Sequence, residues 1–259
     1  MDSPIGIFDS GVGGTSIWRE ITQLLPNEDT VYLADGKNAP YGEKPKEKIL
    51  KLSIKNTELL LEKECKLIVV ACNTATTNAI DYLRANYKIP FIGIEPAIKP
   101  AALQTRTKKV GVLATKGTLA SSLFYNTTKL HASGIKVLEQ EGTGLVELIE
   151  KGDLESEETR LLLQKYLTPM LDAGIDCLVL GCTHYPYLIP QIEKIIPSNI
   201  KIIDSGEAVA RQTKAILEHQ RLLNKSEKSS RHLFYTNREL SVLDGFVKGP
   251  EVTTAFLDF

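Results

Sequence analysis

The chain has 259 residues, of which 42% are apolar and 24% charged, and that length can bury one large core or two smaller ones. A net charge of −1 leaves no electrostatic footprint for nucleic acid or an anionic membrane. No apolar run approaches the roughly 20 residues that span a bilayer. The start, Met1-Asp2-Ser3-Pro4-Ile5-Gly6, has neither the basic nor the apolar region of a secretory signal, so the expected compartment is the cytoplasm. The expected partner is a small-molecule substrate, with neither nucleic acid nor membrane, and a homodimer is compatible with the sequence.

In chain order, short runs rich in Val, Ile and Leu alternate with helical patterns. Strands are predicted over residues 5–8, 30–33, 67–71, 91–94, 110–113, 136–139, 178–181 and 201–203. Helices are predicted over 16–25, 45–64, 74–87, 157–173 and 208–224. Such alternation predicts an α/β fold of parallel sheets flanked by helices, and the apolar strands suit burial on both faces. The Lys/Ser-rich stretch Lys225 to Ser230 reads as a solvated loop.

Phe8-Asp9-Ser10-Gly11-Val12-Gly13-Gly14-Thr15 is a strand, a glycine-rich turn and a helix start. Its backbone N–H groups could approach an anion closely, although it matches neither G-x-G-x-x-G nor a Walker loop. A tight turn capped by Ser10 or Thr15 would look the same, but Asp9 at a sheet's carboxyl edge is well placed for proton work. Tyr41 and Gly42, in Asn38-Ala39-Pro40-Tyr41-Gly42, sit in a turn on that edge.

The four cysteines, at 65, 72, 177 and 182, form no C-x-x-C and no metal-type cluster with histidine, so neither zinc nor disulfides are expected. Cys65 and Cys177 read as small buried hydrophobes. Cys72 and Cys182 differ: each ends a short apolar run and precedes a polar, helix-opening segment, Cys72-Asn73-Thr74 and Cys182-Thr183-His184. A thiol there stands at the carboxyl edge of a sheet, where α/β enzymes bind ligands. A helix N-terminus is expected to lower its pKa. One such cysteine suggests a nucleophile; two in equivalent settings suggest a pair of opposed bases, with Asp9 and His184 handling their protons. Glu147 and Glu150, in Leu145-Val146-Glu147-Leu148-Ile149-Glu150, are harder to place by composition.

The two halves look like copies. Gly6-Ile7-Phe8 matches Gly111-Val112-Leu113 at an offset of 105 (111 − 6), Cys72 matches Cys182 at 110 (182 − 72), and Ile94-Glu95 matches Ile203-Asp204 at 109 (203 − 94). The expected architecture is two similar lobes, each a parallel sheet flanked by helices, related by a pseudo-twofold duplication. Residues 1–97 with 208–259 would form the lobe carrying Cys72, and 98–207 the lobe carrying Cys182.

The chain resembles the glutamate racemases, of the aspartate/glutamate racemase superfamily. The resemblance rests on Phe8-Asp9-Ser10-Gly11-Val12-Gly13-Gly14, Asp35 with Pro40-Tyr41-Gly42, Ala71-Cys72-Asn73-Thr74-Ala75-Thr76, Gly93-Ile94-Glu95-Pro96 and Gly181-Cys182-Thr183-His184-Tyr185-Pro186, in this order through most of the chain. It implies cofactor-independent, two-base racemisation of glutamate that supplies D-glutamate for peptidoglycan. It further implies that Cys72 deprotonates the D-enantiomer and Cys182 the L-enantiomer. Substrate contacts would come from Asp9, Ser10, Tyr41, Gly42, Asn73, Thr74, Thr183 and His184, with Thr115 and Thr118 in a further contact segment. Glu147 would match the family's acidic residue, although Gly142-Thr143-Gly144 replaces the usual Cys-Pro pair and a proline.

No Arg lies within these motifs, so the substrate carboxylates are expected to meet neutral donors and helix ends. Aspartate or hydantoin racemisation is the nearest rival within the superfamily. A binding module that kept the scaffold and a thiol–disulfide oxidoreductase are the rivals outside it; the 110-residue spacing of the cysteines weighs against the oxidoreductase.

Overall fold

The computed structural model describes residues 3–225 and 229–259; residues 226–228 of the expected Lys225 to Ser230 loop lie outside the described residues. The chain forms two parallel sheets covered by helices. β1 (Ile5–Asp9), β2 (Thr30–Ala34), β3 (Leu67–Val70) and β4 (Phe91–Gly93) belong to the first sheet, and β5 (Lys109–Ala114), β6 (Lys136–Glu141), β7 (Cys177–Gly181) and β8 (Lys201–Ile203) make the second. Both four-strand sets share one order, β2-β1-β3-β4 and β6-β5-β7-β8. The central strands β1, β3 and β7 are buried along their whole length, which is why they read as unbroken apolar runs.

The ladders refine the repeat. Phe8 faces Val70 and Leu113 faces Leu180, so the offsets of 105 (113 − 8) and 110 (180 − 70) hold in the pairing itself. The fourth strands do not follow the expected match: Val69 faces Ile92 and Val179 faces Ile203, an offset of 111 (203 − 92). Ile203 is therefore the counterpart of Ile92 rather than Ile94, and Glu95 and Asp204 are not equivalent. Similar two-residue endings at strand termini mimic register when only sequence is compared.

Two strands escape the sequence reading. β9 (His232–Thr236) and β10 (Val252–Phe256) extend the first sheet to six strands, in the order β10-β9-β2-β1-β3-β4. They are partly exposed and mix polar with apolar residues, so they lack the continuous apolar signal of the interior strands.

Helices α1 (Thr15–Leu24), α2 (Lys46–Glu62) and α3 (Asn73–Asn86) follow the strands of the first set. α4 (Ile98–Gln104), α5 (Lys116–Leu119), α6 (Ser122–His131), α7 (Leu145–Lys151), α8 (Glu157–Asp172) and α9 (Ile189–Ile192) belong to the middle of the chain. α10 (Gly206–His219) packs against α1, and α11 (Leu240–Phe246) connects β9 to β10. α10 ends five residues before the expected boundary because Arg221 adopts φ +58° and the Leu222 N–H closes onto the Leu217 carbonyl, a left-handed cap. Among the described residues, no helix is long and apolar enough to cross a membrane.

The largest apolar cluster runs from Ile5, Ile7 and Val69 of the first sheet to Leu178, Leu180 and Leu163 in the second half. Separate clusters lie under α2 and α3 and under α4 and α6. The shared cluster sets the carboxyl edges of the two sheets face to face.

Candidate active site

Each thiol leaves its sheet at a matching place, Cys72 just beyond β3 and Cys182 just beyond β7, and both are buried. Ser10, Tyr41, Gly42, Cys72, Asn73, Thr74, Thr115, Cys182, Thr183 and His184 line one cavity together with Pro40 and Val146. Asp9 lies buried beneath it, and Thr118 stands behind Thr74 and Thr115. The cavity measures about 10 Å³, room for about one water and far too small for an amino acid. The structure is thus a closed form.

On the first side, Asp9 Oδ2 accepts the Gly14 N–H at 2.6 Å, and Ser10 and Thr183 hydroxyls lie 3.4 Å from its two oxygens. Burial raises the Asp9 pKa, against the opposing pull of the His184 charge and of the Gly14 and Ser10 N–H groups. Cys72 caps α3: its sulfur accepts the Ala75 N–H at 3.4 Å and lies 3.8 Å from the Ser10 hydroxyl. The expected lowering by a helix N-terminus does not prevail. Burial, followed by the Asp9 charge, pushes the Cys72 thiol well above its ordinary range, and the Ala75 and Ser10 hydrogen bonds only moderate that. The magnitudes explain the outcome: a helix terminus is worth about 0.3–1 kcal/mol, less than one pKa unit, whereas full burial costs up to about 3–5 units.

On the second side, Cys182 Sγ lies 3.8 Å from His184 Nδ1, and His184 Nε2 lies 2.6 Å from Glu150 Oε1. Glu150 also accepts the Val12 N–H at 2.7 Å, across the cleft. Burial works against a charged imidazole here. It is outweighed by hydrogen bonds to Cys182 and Glu150 and by the negative charges of Cys182 and Asp9, which raise the His184 pKa well above its usual value. A proton on Nε2 is donated to Glu150; the Gly13 N–H, 3.2 Å from the same nitrogen, can donate to it only when that proton is absent. The glycine-rich turn permits this approach, since a Cβ at Gly11 would strike the Glu150 carboxylate and one at Gly13 the His184 ring.

Thr74, from the first half, bonds Thr115 of the second at 2.9 Å, and Thr115 bonds Thr118 at 3.0 Å, closing the cleft with neutral groups. Neither polar atom of the Asn73 side chain has a hydrogen-bond partner among the described residues, although both are buried. The lining contains no Lys or Arg. Tyr41 turns its hydroxyl away from the cavity, donating to Asp35 at 2.5 Å. Among the described residues no group of three or more His, Cys, Asp and Glu could hold a metal ion.

Glu147 is not the acid that reaches His184. It is half-buried and lines a neighbouring depression with Glu43, Lys116 and Glu141. Glu150, almost one turn later, is the buried carboxylate. Its signal was present in α7: Val146 and Glu150 stand four residues apart on one helix face, and Val146 lines the cavity. Composition alone could not choose between the two glutamates.

The Asp/Glu/Hydantoin racemase family matches residues 5–213 of the chain. A glutamate racemase of Herpetosiphon aurantiacus is 51% identical over 223 residues, covering 86% of this chain and 88% of that protein. The fold superposes on a glutamate racemase of Bacillus anthracis with a TM-score of 0.87 at 31% identity, covering 99% of this chain and 97% of that one. It superposes equally well on the Escherichia coli glutamate racemase in complex with L-glutamate and the activator UDP-MurNAc-Ala, with a TM-score of 0.86 at 33% identity and 98% of each chain covered.

Proposed function

Because the chain belongs to the Asp/Glu/Hydantoin racemase family, we propose that it interconverts L- and D-glutamate by two-base proton exchange at Cα, without a cofactor, and so supplies D-glutamate for peptidoglycan. The observation that carries this reading is the pair of buried thiols, one from each repeated half, lining one cavity. Cys182 removes the Cα proton of L-glutamate while the Cys72 thiol delivers one to the opposite face; the roles reverse for D-glutamate. Two fixed groups on opposite sides achieve what a single base would have to move to do.

The halves work as lobes, residues 1–97 with 208–259 carrying Cys72 and residues 98–207 carrying Cys182. His184 places positive charge beside Cys182, the kind of partner that stabilises a thiolate, and Glu150 supports that charge. Glu150, rather than Glu147, takes the part of the supporting acid. Asp9, buried next to Ser10, serves the Cys72 side. The substrate carboxylates and the carbanion formed at Cα are met by neutral donors from Ser10, Asn73, Thr74, Thr115 and Thr183, with Thr118 behind them and Tyr41-Gly42 at the edge. The unpartnered Asn73 amide supports this, since it has a donor and an acceptor to offer. Because this cavity is far smaller than glutamate, the lobes must part to admit it and then close around it, less tightly than here but still excluding water, which strengthens these contacts.

We assign the enzyme to the cytoplasm, where four free thiols stay reduced. A homodimer is a compatible assembly, which light scattering on the eluting protein would measure. Circular dichroism with L-glutamate, then D-glutamate, and no added cofactor tests the activity. The signal of either enantiomer should decay to zero; a constant signal from well-folded protein would defeat the proposal and send the search to aspartate and hydantoins.

A further inference from the structure

Asp35 is completely buried beyond β2, yet it is not among the residues that line the cavity. Four side chains converge on it. Tyr41 donates its hydroxyl to Oδ2 at 2.5 Å, Asn38 and Asn237 donate their amides to Oδ1 at 2.9 and 2.6 Å, and Lys55 Nζ lies 3.5 Å from Oδ2. Asn56 completes the cluster by donating to the Tyr41 hydroxyl at 3.1 Å. A carboxylate that accepts this many donors is held by charge-assisted bonds, stronger and more directional than neutral ones. Its partners come from three places in the chain: the 38–41 turn, α2, and the segment after β9.

Tyr41 is the link to the cleft. Its phenol is committed to Asp35, so its ring is fixed and the following backbone is aimed at the second half. Gly42 abuts Thr115, and the Gly42 carbonyl and Cα crowd Gly117 so closely that a Cβ there would lie 3.1 Å from that oxygen. The Tyr41-Gly42 edge therefore meets the second half only if the ring stays where Asp35 holds it. Asn237, the residue after β9, ties the same carboxylate to the added strands, donating also to the Phe259 carbonyl beyond β10 at 3.0 Å, and its Oδ1 braces the turn by accepting the Lys37 N–H at 2.9 Å.

We propose that Asp35, braced by Asn237, is a positioning residue that acts through Tyr41 to hold the 41–42 edge in its substrate-binding form. It rests on the glutamate reading for its kinetic test, and it assigns Asp35 no part in proton transfer. Loosening this edge weakens ground state and transition state alike, so the effect falls on KM rather than kcat.

The test is a double-mutant cycle of Asp35→Asn and Tyr41→Phe in the full chain, with kcat and KM measured from both enantiomers. Asp35→Asn should raise KM about tenfold for each enantiomer, the scale of one lost hydrogen bond to a charged group, while kcat stays within about twofold. The double variant should be no worse than Tyr41→Phe alone. A fall in kcat at constant KM, or additive losses in the double variant, would overturn the proposal, as would a lowered Tm with KM unmoved. Should Asp35→Asn fail to fold, Asn237→Ala, which leaves the carboxylate in place, replaces it in the cycle with the same pattern at smaller amplitude.

Hydrogen exchange supplies a readout that needs no substrate. Amides of residues 38–44 should exchange faster in Asn237→Ala than in the parent, while those of 181–186 stay as they were; unchanged exchange over 38–44 would refute the idea. A parent protein inactive on both enantiomers would instead remove the glutamate reading and leave this exchange test standing.

Discussion

Cys72 and Cys182 hold matching places in two sheets of identical strand order, yet their surroundings differ in kind. Cys72 caps a 14-residue helix and faces a buried carboxylate, Asp9; burial and that charge keep its proton on. Cys182 precedes only a short 3₁₀ turn, Tyr185–Leu188, and relies instead on His184, whose charge Glu150 supports. The repeat supplies geometry, one thiol on each side of a shared cavity. The charged neighbours differ: Asp9 at the end of β1 stands beside Cys72, and His184 with Glu150 of α7 stands beside Cys182.

One thermodynamic constraint limits how the asymmetry can show. The enantiomers have equal free energy in water, so kcat/KM must be the same in both directions for every variant. Differences between the two sides appear only in kcat and KM separately, in isotope effects, and in solvent exchange.

The largest expected effect comes from removing either thiol. Cys72→Ser and Cys182→Ser should each cut racemisation by about 10³-fold or more, within the range of lost acid–base catalysis. Near-normal racemisation by either variant, followed polarimetrically, would break the comparison at its root.

Next comes the support of Cys182. Glu150→Gln removes the charge that stabilises protonated His184, and kcat from L-glutamate should fall about tenfold to a hundredfold. The primary isotope effect with Cα-deuterated L-glutamate should rise, because proton removal by Cys182 becomes more limiting. Glu147→Gln should stay within about twofold of the parent, since Glu147 lines the outer depression. The opposite ranking would return the supporting role to Glu147.

Asp9→Asn addresses the other side. Its charge is second only to burial in raising the Cys72 pKa, so removing it should lower that pKa. Cys72 must be protonated to donate, and the alkaline limb of kcat from L-glutamate should therefore move to lower pH. A limb unmoved or shifted upward would separate Asp9 from Cys72.

The smallest effect tests the scaffold of the second half. Burial opposes the charge of Asp176, but hydrogen bonds from the Thr105 hydroxyl and from the Arg106 and Thr107 N–H groups outweigh it and lower its pKa from 3.8 to about 2. A depressed folded-state pKa stabilises above the unfolded value and loses that contribution as pH falls from about 4 through about 2. Asp176→Asn should lower Tm slightly at neutral pH and leave it unchanged well below pH 2. An equal loss at both pH values would mean that the charge is irrelevant.

Much of this was legible in the sequence, for identifiable reasons. Buried parallel strands announce themselves as apolar runs, and the two cysteine motifs stood where those runs ended. The glycine-rich turn was visible too, although its purpose, to let Glu150 and His184 approach from the other half, is a property of the assembled cleft. β9 and β10 were missed because half-exposed strands mix polar and apolar residues. The direction of the Cys72 shift was misjudged for another reason: a helix N-terminus can be read from sequence, whereas the depth of burial that overrides it cannot.

The most direct test of the two-sided account is proton exchange by Cys72→Ser in deuterated water, followed by NMR at Cα. With L-glutamate, Cys182 should still remove and return a proton on its own side, so deuterium should enter at Cα while the product remains L. D-glutamate should exchange far more slowly. Exchange from D-glutamate but not from L-glutamate, or equal exchange from both, would contradict the assignment of one face to each cysteine.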